Sequence, residues 1–151
     1  MRCELFKQFR LVGGTALSLQ IGHRLSIDID LFTDAAYGSI NFNTIDNYLR
    51  ETFPYVTDPS PGPVAMGRSY FIGTSEREAI KLDLYYTDPF IQPELIVDNI
   101  RMATTKEIIA MKIDVVQRGG RKKDFWDLHE LIGMYSPEQM IDLHYQRYPY
   151  N

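Results

Sequence analysis

The chain's 151 residues suffice for one domain with a real core, and 44% hydrophobic with 24% charged residues excludes a disordered or fibrous chain. A formal net charge of -4 gives no overall basic field for nucleic acid, although cations gather locally from Arg118 to Lys123. The single cysteine, Cys3, excludes an internal disulfide, and no apolar run long enough for a membrane span occurs, so a reducing, cytoplasmic setting without membrane partners is expected.

In chain order, Leu5 to Val12 reads as a helix end or a short strand leading into Gly13-Gly14. Thr15 caps or begins a helix through Ala16, Leu17, Leu19 and Gln20, and Gly22 ends it. Residues 27–32 alternate as a central strand, so Asp28 and Asp30 share one face. Like charges that close repel, and an oxygen-ligated divalent cation is the usual reason to tolerate them. A polar connection follows, then a helix over 44–53 with apolar positions 45, 48, 49 and 53 and Thr44 as N-cap. Four prolines and two glycines make 54–67 a loop.

Residues 69–73 and 79–86 read as two strands joined by a turn at 74–78. In the second, Ile80, Leu82 and Leu84 face one way and Lys81, Asp83 and Tyr85 the other. A short strand fits 95–97. From Thr104 the pattern is helical: Thr104 and Glu107 form a capping box, and Ile108, Met111 and Val115 make an apolar stripe up to Gly119-Gly120. A second helix covers 121–132 with Phe125, Leu128, Leu131 and Ile132 inward, and Ser136-Pro137-Glu138-Gln139 starts a third. The expectation is an α/β core over 1–103 with a helical segment, 104–151, packed on it.

Three groups of residues can carry chemistry. Asp83, central in its strand, completes a three-carboxylate site if it lies beside Asp28 and Asp30, and such a site holds Mg²⁺ against phosphate oxygens. The competing reading makes these aspartates polar-face residues of half-exposed strands. Gly13, Gly14 and Thr15 allow close backbone approach to a phosphate at a helix start, or simply a tight turn; the P-loop spacing is absent. Lys112 can reach a triphosphate as a point charge. Arg118, Arg121, Lys122 and Lys123 bind phosphate or form the solvated end of two helices. Asp124 and Asp127, three apart on one helical face, pair with a lysine or with Arg24, or polarise a hydroxyl. His23, His129 and His144 lack metal-ligand spacing, so no zinc site is expected.

The stretch GGTALSLQIGHRLSIDIDLF resembles the signature of the AbiEii-type nucleotidyltransferases, the toxin-like branch of the DNA polymerase beta-like superfamily. The matching residues are Gly13-Gly14-Thr15-Ala16-Leu17, Gly22, Arg24, Ser26 and Asp28-Ile29-Asp30-Leu31. A later motif, Lys112, Arg118 and Lys123-Asp124-Phe125-Trp126-Asp127-Leu128, is similar in the same order, and together they span residues 10–132. The resemblance implies a nucleotidyltransferase-like mixed sheet with the Asp pair on a central strand. It implies Mg²⁺- or Mn²⁺-dependent transfer of NMP from an NTP to an acceptor hydroxyl, RNA or tRNA among the candidates, and a toxin with a cognate antitoxin protein. It makes Asp28, Asp30, Lys112 and Asp124 catalytic, with Asp28, Asp30 and Asp83 on the metal. Gly13, Gly14, Thr15, Arg24, Lys112, Lys123 and Asp127 contact the nucleotide. The alternative is a catalytically degenerate nucleotide-binding or protein-interaction domain on the same scaffold.

Overall fold

Strand alternation in the first two-thirds of the chain and helical periodicity in the last third both find their partners in the fold. A computed structural model describes residues 3–58 and 65–150. After a 3-10 turn at Glu4–Phe6 come β1 (Arg10–Leu11), α1 (Gly13–Ile21), β2 (Ile29–Thr33), α2 (Phe42–Thr52), β3 (Tyr55–Val56), β4 (Gly67–Gly73) and β5 (Ile80–Tyr86). They are followed by β6 (Leu95–Val97), β7 (Ile100–Met102), α3 (Thr105–Gln117), α4 (Lys122–Leu131) and α5 (Pro137–Arg147). The described strands form one mixed sheet in the order β3-β4-β5-β2-β1-β7-β6, with β2–β5 and β1–β7 parallel and the other pairs antiparallel. The fold is the expected mixed α/β sheet with a C-terminal helical segment. No helix among the described residues is long and apolar enough to cross a membrane.

Period two sorts the side chains of the central strands. Leu31, Leu82, Leu84 and Tyr86 are buried in the core. Leu31 and Leu82 line one apolar hollow with Tyr48 and Leu49 of α2, and the Tyr86 ring meets Phe42. The register pairs Asp30 with Asp83 and Phe32 with Tyr85, so these residues share the opposite face, toward Ile108 and Met111 of α3. Asp30 therefore sits on the middle strand of the sheet.

Several boundaries differ from the sequence expectation, each for a local reason. β2 begins at Ile29, because the Asp28 carbonyl accepts the Thr15 hydroxyl rather than a strand partner. Asn41, not Thr44, caps α2: its side chain accepts from the Thr44 N–H at 3.1 Å. Within the loop expected over 54–67, Tyr55–Val56 pairs with β4 as an edge strand, Gly67 already belongs to β4, and 59–64 lie outside the described residues. The strand at 95–97 gains a partner, β7, through Asp98 and Asn99, which take the positive φ values (51° and 62°) that Asp and Asn tolerate in tight hairpins.

Two corrections concern the helices. Phe125 and Ile132, expected inward, are about half exposed, and the buried positions of α4 are Asp124, Asp127 and Leu131. In α3, Thr104 accepts from the Glu107 N–H, but the Glu107 side chain closes no capping box. Its buried carboxylate accepts from the Ile91 and Gln92 N–H groups, at 3.0 and 2.9 Å, and pairs with Arg147 of α5. Arg147 also donates to Thr87 Oγ1 and to the Asp88 and Pro89 carbonyls. This one pair fastens α3, α5 and the 87–92 segment, and both side chains are fully buried.

Removing one partner of such a pair strands the other charge in the interior. Arg147→Ala is expected to cost about 3–5 kcal/mol. Urea unfolding followed by circular dichroism measures this, with exposed Arg77→Ala as the near-neutral reference.

Candidate active site

The site is built where β2 and β5 run side by side and α1, α3 and α4 close over them. A cleft of about 230 Å³ is lined by Gly13, Gly14, Arg24, Ser26, Asp28, Asp30, Asp83, Lys112, Arg121, Lys123 and Asp124, with Phe32, Met111 and Val115 among its apolar wall residues. Most of the residues expected to act together thus share one cavity. Thr15 and Asp127 do not line it.

The glycines are fixed by contact as well as by conformation. Gly13 adopts φ +68°, and a Cβ there would stand 2.5 Å from Asp30 Oδ2. A Cβ on Gly14 would collide with the Arg24 guanidinium. The backbone at the start of α1 is therefore pressed against a carboxylate on one side and a cation on the other. Thr15 does something different from the expected phosphate contact. Its hydroxyl donates to the Asp28 carbonyl at 2.5 Å and lies 3.0 Å from Ser26 Oγ, so it ties α1 to the turn that carries Asp28.

Asp30 and Asp83 are register partners on adjacent parallel strands. Burial, and then the neighbouring Asp83 carboxylate, push the Asp30 carboxyl above its usual range. Lys81, two residues from Asp83 on the same strand face, holds Asp83 Oδ2 at 2.5 Å, while Asp83 Oδ1 is buried without a hydrogen-bond partner. Asp28 stands at the more open edge, 3.6 Å from Lys123 Nζ. No group of three His, Cys, Asp or Glu among the described residues forms a ready-made metal centre. The repelling pair and the orphaned oxygen of Asp83 nonetheless suit a divalent cation, for which carboxylate oxygens are the appropriate donors.

Asp127 is the hub behind the cleft. It is fully buried, so it cannot touch a nucleotide from where it stands. It takes two hydrogen bonds from Arg24, Nε at 2.6 Å and Nη2 at 2.9 Å, with His23 Nε2 at 2.7 Å and Lys112 Nζ at 2.7 Å. Burial alone would raise its carboxyl; hydrogen bonds from Arg24, Lys112 and His23 overcome that and hold it well below the usual range. Lys112 bridges to Asp124 Oδ1 at 3.0 Å, and Asp124 Oδ2 accepts the Arg121 N–H at the start of α4. Burial would raise Asp124 too, and the Lys112 hydrogen bond brings it below its usual range. The pairing of Asp124 and Asp127 with a lysine, and of Asp127 with Arg24, is as the sequence suggested.

Three residues gain a role that the sequence reading did not assign them. His23, without metal-ligand spacing, serves as a third donor to Asp127. Lys81 was legible from alternation, which puts it on the face of Asp83. Ser26, part of the motif, proves to line the cleft beside Gly14.

The family described as "Nucleotidyl transferase AbiEii toxin, Type IV TA system" matches residues 1–149. The uncharacterized protein aq_aa25 of Aquifex aeolicus (strain VF5) is 32% identical over 130 residues, which are 82% of this chain and 57% of that protein. The chain thus spans a little over half the length of that curated relative. Among solved structures, a provisionally assigned nucleotidyltransferase from H. pylori superposes with TM-score 0.64 at 21% identity, over 94% of this chain and 67% of that one. JHP933 from Helicobacter pylori gives 0.63 at 20% identity, over 96% and 72%. At these identities the two structures speak for the fold.

The two aspartate environments predict opposite effects. Asp127, lowered in the folded state, contributes stability that is present above about pH 4 and lost as pH falls through the carboxylate range. Asp127→Ala, which strands Arg24 and Lys112, is expected to cost about 3–5 kcal/mol at neutral pH. Asp30, raised in the folded state, destabilises once ionised, so without metal Asp30→Asn is expected to gain on the order of 0.5–1 kcal/mol at neutral pH. Thermal melts of both variants at pH 7 and pH 4 test the signs.

Proposed function

We propose, for a chain that belongs to the AbiEii nucleotidyl transferase family, that this cleft binds an NTP with Mg²⁺ or Mn²⁺ and moves its NMP to an acceptor hydroxyl. The observation that carries the reading is the Asp30–Asp83 pair on the two central strands, closed over by Gly13 and left with one orphaned oxygen. Asp28 and Asp30 would hold the metal, with Asp83 beside them. A bound divalent cation supplies charge neutralisation at phosphate oxygens and a more acidic acceptor hydroxyl.

The chain's own residues supply the rest. Gly13 and Gly14 keep side chains away from the triphosphate path. Arg24, oriented by Asp127, and Lys123, now beside Asp28, are the cations available to phosphate oxygens. Lys112 lies between two aspartates and would reach phosphate only by exchanging one of them, so its first role is to keep Asp124 and Asp127 in register. In the transfer, the acceptor hydroxyl gives up its proton to water and its oxygen bonds to the α-phosphorus as the bond to pyrophosphate breaks, and positioning and charge stabilisation do most of the work. A toxin role and a cognate antitoxin are supported by the family description, and RNA or tRNA as acceptor belongs to the same proposal.

One observation favours the alternative of a binding domain without transfer. Both Asp124 oxygens already accept hydrogen bonds, from Lys112 and from the Arg121 N–H, which hold its carboxyl low and make it a weaker base for an acceptor proton. Isothermal titration and incubation with α-labelled NTP separate the two. The enzyme reading expects NTP binding at least tenfold tighter with Mg²⁺ or Mn²⁺, and label moved to an RNA or protein acceptor, both lost in Asp30→Asn. Metal-independent binding, or none, would sink it; metal-dependent binding without transfer leaves the binding domain.

A further inference from the structure

The basic stretch at the start of α4 has more cations than the cleft uses. Arg121 and Lys123 line the cavity, whereas Arg118 and Lys122 do not. Arg118 rests on Asp114 and Arg121 lies near Asp124, yet their side chains remain 68% and 74% exposed. On the next turn the two large aromatics Phe125 and Trp126 stand 54% and 53% exposed. They are out because α4 buries its aspartates instead. Helical spacing sets Phe125 one turn beyond Arg121 and Trp126 one turn beyond Lys122, so each ring is the surface neighbour of a cation. The strip starts at Arg121, which also lines the cleft, in a chain whose net charge is negative.

We propose that Arg121, Lys122, Phe125 and Trp126 form a docking strip for single-stranded nucleic acid, with cations meeting phosphates and the two rings stacking bases. Charge complementarity selects a polyanion, and paired exposed rings beside the cations select one that carries bases over a merely acidic protein. The inference deepens the reading of the cleft: the strand's role as acceptor rests on that reading, but the docking surface does not.

Trp126 is the only tryptophan, so its fluorescence reports on the strip directly. The full chain is titrated at low salt with oligoadenylate of about ten nucleotides, with oligodeoxyadenylate of the same length, with inorganic polyphosphate and with polyglutamate. Either oligonucleotide is expected to quench the emission, telling RNA from DNA by its affinity, while polyphosphate and polyglutamate leave it unchanged. Phe125→Ala is expected to weaken the oligonucleotide about tenfold, with Phe125→Tyr restoring it. Lys122→Ala should lower the log–log salt slope by about 0.7. Since both positions are exposed, unchanged circular dichroism accompanies these effects. Asp30→Asn should keep the quench while losing metal-dependent NTP binding, so the two readings fail separately. An absent quench, an equal response to polyglutamate, or a Phe125→Ala variant that binds like the wild type overturns the strip.

Discussion

The arrangement depends on one buried carboxylate. Asp127 has no access to water, and an isolated charge there would be prohibitive. Four hydrogen bonds from Arg24, His23 and Lys112 make it tolerable. Those donors come from the loop after α1 and from α3, while Asp127 itself sits on α4. One electrostatic requirement therefore brings three separate segments together and sets the cleft's back wall. Arg24, drawn down by this acid, lies across Gly14.

The second constraint is repulsion deliberately left in the sheet. Asp30 and Asp83 face each other on the two most central strands, and Lys81 compensates only one oxygen of Asp83. Burial and its like-charged neighbour raise the Asp30 carboxyl. Such a pair is a stability defect in a bare scaffold and an asset in a site that receives a cation. The fold carries it because the rest of the sheet, from Leu31 and Leu82 to Leu84 and Tyr86, is buried in the apolar core.

Much of this was legible in the residues. Gly13-Gly14, the alternation through Asp30 and through Asp83, and the helical run from Thr104 are local patterns, and local patterns follow from φ/ψ preference and side-chain period. The misreadings of charged and aromatic side chains are non-local. Phe125 was assigned to the core because an apolar residue at helical spacing normally is; the partners that draw Asp124 and Asp127 inward lie 12 and about 100 residues away. His23 looked isolated for the same reason, since its partner is 104 positions distant. Glu107 had the spacing of a capping box, but Arg147 and two backbone N–H groups outcompete the helix terminus for its carboxylate.

The sequence by itself determined which residues carry charge and which of the longer segments are strand or helix, because those properties depend on side chains a few positions apart. It also carried the family, through two motifs in fixed order. Only the tertiary structure decided how the charges are used. Asp83 meets Asp30 through strand register, Asp127 becomes a counter-ion rather than a ligand through burial, and Thr15 becomes a tether to Asp28. Whether a charged group is a ligand, a counter-ion or a surface contact depends on its desolvation and on its partners, and both are set by contacts across the whole chain.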